Sequence, residues 1–324
     1  LGRENDPFRI ADQTGMMILM SENLISTPRP AQVGGRPGMV LPGSVSFASD
    51  FGLTTFQPSP QRSVVRATLT DKLRDSGGAA STGVLMTVVD IVASDPALIA
   101  ASPDWTATQD LSLYAAGPIT RGPIVADARL VRAGKKVVVI SVDVYDGCGV
   151  TDLRVLTDDI DRGAHGLTHA GRALVVFARI PRAAAVDADQ YSPAKTVGTI
   201  RERKPVPVEG SVYSRLGMRV VDAGSGVLEL DLTSFVVNQI GTIQGGALAV
   251  LAESAACAMR PGMVACDMQI HYLSQVRVGP ARASGEVIRD AGDHSVVDVR
   301  LVDAGTGDTV LALTTVTLRH QLIA

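Results

Sequence analysis

The sequence predicts an α+β chain made of two copies of one unit, each an antiparallel sheet around a single central helix. Three observations carry that prediction. The chain has 324 residues, which at about 150 residues per domain corresponds to two domains. The segment 62–90 matches 225–253 without a gap, and 110–146 matches 267–303. Each copy reads as a strand, a glycine-bearing loop, one strongly apolar segment and a run of further strands.

The first match pairs Val64 with Val227, Leu69 with Leu232, Thr70 with Thr233, Gly78 with Gly241, Gly83 with Gly246 and Leu85 with Leu248. Asp75 faces Asn238, and Asp90 faces Glu253. The second pairs Asp110 with Asp267, Gly122-Pro123 with Gly279-Pro280, Ala126 with Ala283, Arg132 with Arg289, Val139 with Val296, Val142 with Val299 and Asp146 with Asp303. Between the two blocks the spacing of the copies drops from 163 to 157 residues. The first copy therefore carries six extra residues, which fall in SDPALIAASPDW.

The first strand is expected at 64–69 and again at 227–232, where VLELDL alternates. The apolar segment is GVLMTVVDIVA (83–93) in the first copy and GALAVLAESAACAM (246–259) in the second. Ala, Leu and Met make the second a helix. The first is Val-rich and reads as helix through its partner. Strands follow at 108–114, 124–132, 136–146 and 172–180, and at 266–273, 281–290, 294–303 and 309–318, with glycine clusters at the turns. The boundaries that result are an irregular arm over 1–43 with five prolines, a first unit over 44–182, a charged, Pro-bearing linker over 183–210 and a second unit over 211–324. Residues 147–171 replace a short turn at 304–308 and read as a solvated loop or lid containing His165 and His169.

Composition narrows the function. Hydrophobic residues are 46% and aromatics 4%, so the cores are aliphatic and wholesale disorder is excluded. A net charge of −3 argues against a general nucleic-acid binder. No run of about 18 apolar residues predicts a membrane span, and MMILM at 16–20 is too short for a leader. Cys148, Cys257 and Cys266 form no CxxC pair, which fits a reducing, cytoplasmic setting. The five histidines have no metal-ligand spacing, so no metal is expected. Cys257 lies one turn after Glu253 in an apolar helix and reads as a core residue.

One carboxylate on each apolar helix, Asp90 and Glu253, stands out. A helix apolar all round is wrapped by other structure. An acid there loses solvation and its pKa rises. Such an acid is either structural, capping a loop or pairing with an arginine, or it serves chemistry. The loop NQIGTIQGG (238–246) puts Gly245 and Gly246 where the chain enters the helix, so main-chain N–H groups can approach a carbonyl oxygen closely. Glu253 is seven residues beyond Gly246, roughly 10 Å along the helix, too far to act on a carbonyl held at its own N-terminus. A second, antiparallel copy brings the two together.

The run N-x-x-G-x-x-Q-G-G-A-x-x-x-L-A-E from Asn238 to Glu253, overlapped by GALAVLAESAA (246–256), resembles the motif of hotdog-fold acyl-CoA thioesterases of the phenylacetate-degradation (PaaI-like) type. The resemblance covers about 211–320 well and about 44–182 weakly, mainly through the repeat. It implies two tandem hotdog domains paired within the chain, with active sites between them. There a glycine-loop amide polarises the thioester carbonyl, and the partner's helix carboxylate is nucleophile or general base. Asn238, Gly245, Gly246 and Glu253 match, whereas Gln244 stands where the family has His. In the first copy Asp90 and Gly83 match, but Asp75, Ser81 and Thr82 replace Asn, His and Gly.

Two unequal sites are thereby implied. Site one joins the intact loop (Asn238, Gln244, Gly245, Gly246) to Asp90. Site two joins the degenerate loop (Asp75, Ser81, Thr82, Gly83) to Glu253, which places two carboxylates near a developing oxyanion. Site one is therefore expected to carry the chemistry. Arg121 and Arg277, at strand ends, are either holders of CoA phosphates or ordinary surface arginines. The CoA thioester is substrate, and no separate cofactor is expected. A homodimer of such double units is the expected assembly. A non-catalytic acyl-CoA binding protein on the same fold remains the alternative. An enoyl-CoA hydratase would carry G-D-x-N-P-x-H, which this chain lacks.

Overall fold

A computed structural model describes residues 46–163, 166–181, 192–203, 210–238 and 241–320. The arm 1–43, His165 and parts of the expected linker lie outside the described residues. Among the described residues, two long helices, α1 (Thr82–Ala101) and α4 (Gly245–Met259), are wrapped by thirteen strands. In the first copy these are β1 (Thr54–Ser59), β2 (Arg62–Ala67), β3 (Trp105–Ala115), β4 (Ile124–Ala133), β5 (Val137–Asp146) and β6 (Thr168–Ile180), with β7 (Ile200–Glu202) after them. The second has β8 (Arg219–Asp222), β9 (Val227–Leu230), β10 (Met263–Tyr272), β11 (Ala281–Asp290), β12 (His294–Asp303) and β13 (Thr309–His320).

The strands form one antiparallel sheet in the order β7-β1-β2-β4-β5-β6-β3-β10-β13-β12-β11-β9-β8. The order runs outward the same way from the centre in both directions. At that centre β3 pairs with β10, Ser112 opposite Gln269. Alternation decides which face turns inward. Along β5, Val138, Ile140, Val142 and Val144 are buried while the residues between them are less so. Val297, Val299 and Leu301 do the same along β12. The inward residues close on α1 and α4 in one continuous aliphatic core.

The two helices pack against each other at their glycines. A Cβ on Gly83 would lie 2.8 Å from Val250 Cα, and one on Gly246 would lie 2.8 Å from Thr87 Cβ. Glycine alone permits that approach. This close crossing sets the N-terminus of each helix beside the body of the other.

The structure departs from the expected elements in several places. Strands β1 and β8 stand before the strands expected first in each copy, at 64–69 and 227–232. Helix α1 runs to Ala101, beyond the expected 93, with the buried Pro96 inside it. The six extra residues lengthen a helix and are not a loop; the surrounding core outweighs the hydrogen bond that Pro96 cannot donate. The insertion contains an amphipathic helix, α2 (Leu153–Arg162), started by Asp152 accepting from Arg154 N–H and Val155 N–H. Leu153 and Leu156 of α2 pack on Val64 and Val125 on the outer face of the sheet. Arg62 ties that face together, 2.8 Å from both Asp127 and Asp161. Part of the expected linker is strand β7, which pairs with β1. Finally, α1 is 20 residues long and contains an 18-residue stretch of mean hydropathy 1.8, so by length and composition it could cross a membrane. Here it is a core helix, with Val84, Val88, Val89 and Val92 fully buried under strands of the first copy.

Candidate active site

The helix crossing brings the expected pairs together: Glu253 meets the loop of the first copy, and Asp90 the loop of the second. The two meetings differ in kind.

Glu253 is 3% exposed. Its Oε1 accepts from Thr82 N–H at 2.8 Å and its Oε2 from Gly83 N–H at 3.0 Å. These are the first two amides of α1, which no residue of that helix can satisfy. The helix dipole adds to the attraction. Burial nevertheless pushes Glu253 up to about 7; the Gly83 amide opposes the rise, and Asp75 adds to it. Asp75 is itself raised by burial. Its Oδ1 accepts from Gly77 N–H at 2.8 Å and Ala79 N–H at 3.1 Å, which folds the loop. Ser81 caps α1 through Val84 N–H. A cavity of about 10 Å³, room for about one water, borders this site among Asp75, Tyr213, Glu253, Cys257, Met263 and Ala265. Burial and Glu253 push the Cys257 thiol far up, in keeping with a core residue.

At site one the carboxylate is one methylene shorter. Asp90 Oδ1 accepts from Thr108 Oγ1 on β3 at 2.6 Å. Its Oδ2 stands 3.3 Å from where a Cβ on Gly245 would lie. Burial pushes Asp90 up to about 6, and the Thr108 hydrogen bond opposes the rise. Gly245 and Gly246 occupy the repeat positions of Thr82 and Gly83 and are likewise the first two residues of their helix. Gln244 precedes them but makes no side-chain cap; its Nε2 donates to Val237 O at 3.3 Å. Tyr272, at the end of β10, donates to the Gly245 carbonyl at 2.8 Å. Asn238 Oδ1 accepts from Thr242 N–H at 3.3 Å, the turn-forming role that Asp75 has in the other copy.

The loops bearing the two arginines adjoin these sites. Arg121 N–H and Arg277 N–H donate to the repeat-related carboxylates Asp146 and Asp303 at 2.9 and 2.7 Å. Asp303 also accepts from Val278 and Gly279 amides. Val276 N–H donates to Thr242 Oγ1, which docks the Arg277 loop on the site-one loop. Ala80 N–H donates to Ile119 O near Arg121. Arg121 reaches back to Cys148 O at 3.1 Å.

Sequence reasoning missed Thr108 and Tyr272. Their repeat counterparts are Ala265 and Ala115, so comparing the copies drew attention away from both. It also missed Tyr213, which stands in the segment read as the start of the second unit.

Chemically, site two is a carboxylate seated on helix amides. Site one sets a carboxylate from one helix beside the leading amides of the other, which have no side-chain cap among the described residues, so a carbonyl oxygen placed on those amides would face it.

No family model matches the chain, and no curated protein sequence does. Solved structures do match. A putative thioesterase II from Thermobifida fusca is similar with a TM-score of 0.50 at 15% identity, over 87% of this chain and 99% of that one. A putative oleoyl thioesterase from Lactobacillus plantarum is similar with a TM-score of 0.52 at 8% identity, over 86% and 98%. The tesB protein of Mycobacterium avium subsp. paratuberculosis gives 0.50 at 10%, over 82% and 94%. The chain thus shares the fold of these proteins over most of its length.

Proposed function

We propose that the chain is an acyl-CoA thioesterase, that its two halves are tandem hotdog domains paired within one molecule, and that site one carries the hydrolysis. The observation behind this reading is the inequality of the two carboxylates. Glu253 binds both leading amides of α1. Among the described residues, the Asp90 side chain bonds Thr108 instead, which leaves the corresponding amides of α4 to a substrate. The fold likeness to thioesterases agrees with the reading.

In this mechanism the thioester carbonyl oxygen sits on the Gly245 and Gly246 amides, with the positive end of α4 behind them. Asp90, ionised above about 6, takes a proton from the water that attacks the carbonyl carbon, or attacks that carbon itself. The negative charge that forms on oxygen is held by the amides. When water is the nucleophile, collapse breaks the C–S bond and the thiolate takes the proton from Asp90, leaving a carboxylic acid and free CoA. When Asp90 is the nucleophile, collapse expels the thiolate and leaves an acyl-Asp90 anhydride, which water cleaves to the carboxylic acid and the Asp90 carboxylate while the remaining proton goes to the thiolate. Thr108 holds Asp90 in place. Arg277 is the better placed of the two arginines to meet a CoA phosphate, because its loop docks on the site-one loop.

Release of free thiol from a panel of acyl-CoAs tests the activity. Asp90→Asn is expected to lower kcat by about 10²–10⁴, the usual worth of a positioned acid–base group. Glu253→Gln is expected to retain the larger share of the rate. If only Glu253→Gln loses rate, the assignment of site one is wrong. Saturable acyl-CoA binding without thiol release supports a carrier on the same fold.

A further inference from the structure

The internal repeat extends upstream of the segments that match in sequence. The short 3-10 turn Phe47–Phe51 and the helix α3 (Val212–Leu216) are copies of each other at a spacing of 165 residues. Each follows a serine, Ser46 or Ser211, and has a second serine at 49 or 214. Each ends on a left-handed glycine, Gly52 (φ 53°) or Gly217 (φ 67°). The repeat-related residues Asp50 and Arg215 pair with each other, Arg215 Nη2 donating to Asp50 Oδ1 at 3.0 Å. The two turns are thus docked together across the centre of the molecule.

Within this pair one position differs sharply in size: Ala48 in the first copy and Tyr213 in the second. Tyr213 belongs to site two. It lines the small cavity with Asp75 and Glu253, and its side chain hydrogen-bonds Ser81. Its ring is one wall of that cavity. Ala48 is buried, at 8% exposure. Its turn rests on the segment leading into site one, with Phe47 N–H donating to Phe235 O at 2.8 Å three residues before Asn238. Where Cys257 and Met263 border site two, the repeat sets the smaller Ser94 and Thr106 beside site one.

We propose that Ala48 is a specificity-determining residue: the volume that the Tyr213 ring fills in site two receives, in site one, the acyl chain of the thioester. The inference rests on the thioesterase reading and deepens it. The substrate class is a thioester with a short to medium straight aliphatic chain, which passes Ala48 and ends among aliphatic residues. The same position closes site two to such a chain, so one acyl group is taken per molecule.

The test compares hydrolysis of acetyl-CoA and hexanoyl-CoA by the full chain and by A48V, A48L and A48Y. The ratio of kcat/KM for hexanoyl-CoA over acetyl-CoA is expected to fall stepwise with side-chain size, by about tenfold or more at A48L, the usual discrimination of a pocket by a few methylenes. A merely structural role would lower both substrates alike. Equal losses on both, or an unchanged ratio, overturn the proposal. If A48Y does not fold, A48V and A48L decide. A second measurement separates this idea from the parent reading: titration with the non-hydrolysable thioether S-hexyl-CoA. If the wild type hydrolyses nothing but binds the thioether, the thioesterase reading fails, and weaker binding by A48L still supports the role of Ala48. Equal binding by wild type and A48L overturns it, and binding by neither overturns both.

Discussion

Replacing Glu253 by Gln should stabilise the protein at alkaline pH and not at acid pH. Burial raises the folded-state pKa of Glu253 from the ordinary 4.5 to about 7. Between those values the native state holds a proton that the unfolded chain has released. Stability therefore falls as pH rises through the window, by at most about 1.4 kcal/mol per pH unit. The whole window corresponds to about 3 kcal/mol, and above about pH 7 the loss is complete. Gln keeps the shape and never ionises. Its amide nitrogen meets one of the two backbone donors, Thr82 N–H or Gly83 N–H, at a penalty of about 1–3 kcal/mol. That penalty is the same at every pH and cancels when the two proteins are compared across pH. Asp90 titrates alike in both and cancels too. The assay is urea unfolding of wild type and Glu253→Gln from pH 5 to 8.5. Relative to pH 5, where the wild type has already lost part of it, the variant should gain about 2.5 kcal/mol on the wild type by pH 8. A difference that stays flat, or a wild type that gains on the variant as pH rises, would refute the reasoning that site two is a desolvated carboxylate.

Two further outcomes follow from the same geometry. The Thr108 hydrogen bond favours the ionised form of Asp90, so Thr108→Val should move the acid limb of kcat/KM from about 6 to higher pH; a limb that stays put or moves down contradicts this. Gly83→Ala sets a methyl 2.8 Å from the Val250 backbone and should destabilise by about 1–3 kcal/mol, whereas Gly117→Ala, with open space around it, should stay within about 0.5 kcal/mol; equal unfolding midpoints for the two variants would count against the close helix crossing.

The parts of the fold that could be read in the sequence were those with a strong period or a partner. The strands expected at 281–290 and 294–303 occupy those bounds; inward and outward residues alternate along the whole of β12, and along β11 from Ala281 to Ile288. Helix α1 was readable only through its copy: alone, its valines favour a strand, and the enclosing sheet overrides that preference. Its extension past Pro96 was not readable, since proline and serine locally signal a break. Strand β7 is exposed along its whole length and has no hydrophobic pattern to announce it. At the candidate site, the two carboxylates and the glycines could be found because acids and glycines are conspicuous in apolar sequence. Thr108 could not, because only the fold brings strand β3 against Asp90. The turns at 47–51 and 212–216 share too few identical residues to align before their shapes are seen.

The β3–β10 seam has a consequence for how this molecule can change. In an assembly of two identical chains, every substitution is made twice, once on each side of the symmetry axis. A residue that improves one pocket must then be tolerated in the other. Here Ser112 and Gln269 meet at the centre as two separately encoded positions. A change on one side of the seam has no echo on the other. One pocket can be stripped, filled and turned into a structural anchor while its twin keeps open space and reactive groups, and neither adjustment compromises the other. Joining the halves in a single strand of peptide thus doubles the number of independent choices available to the same architecture.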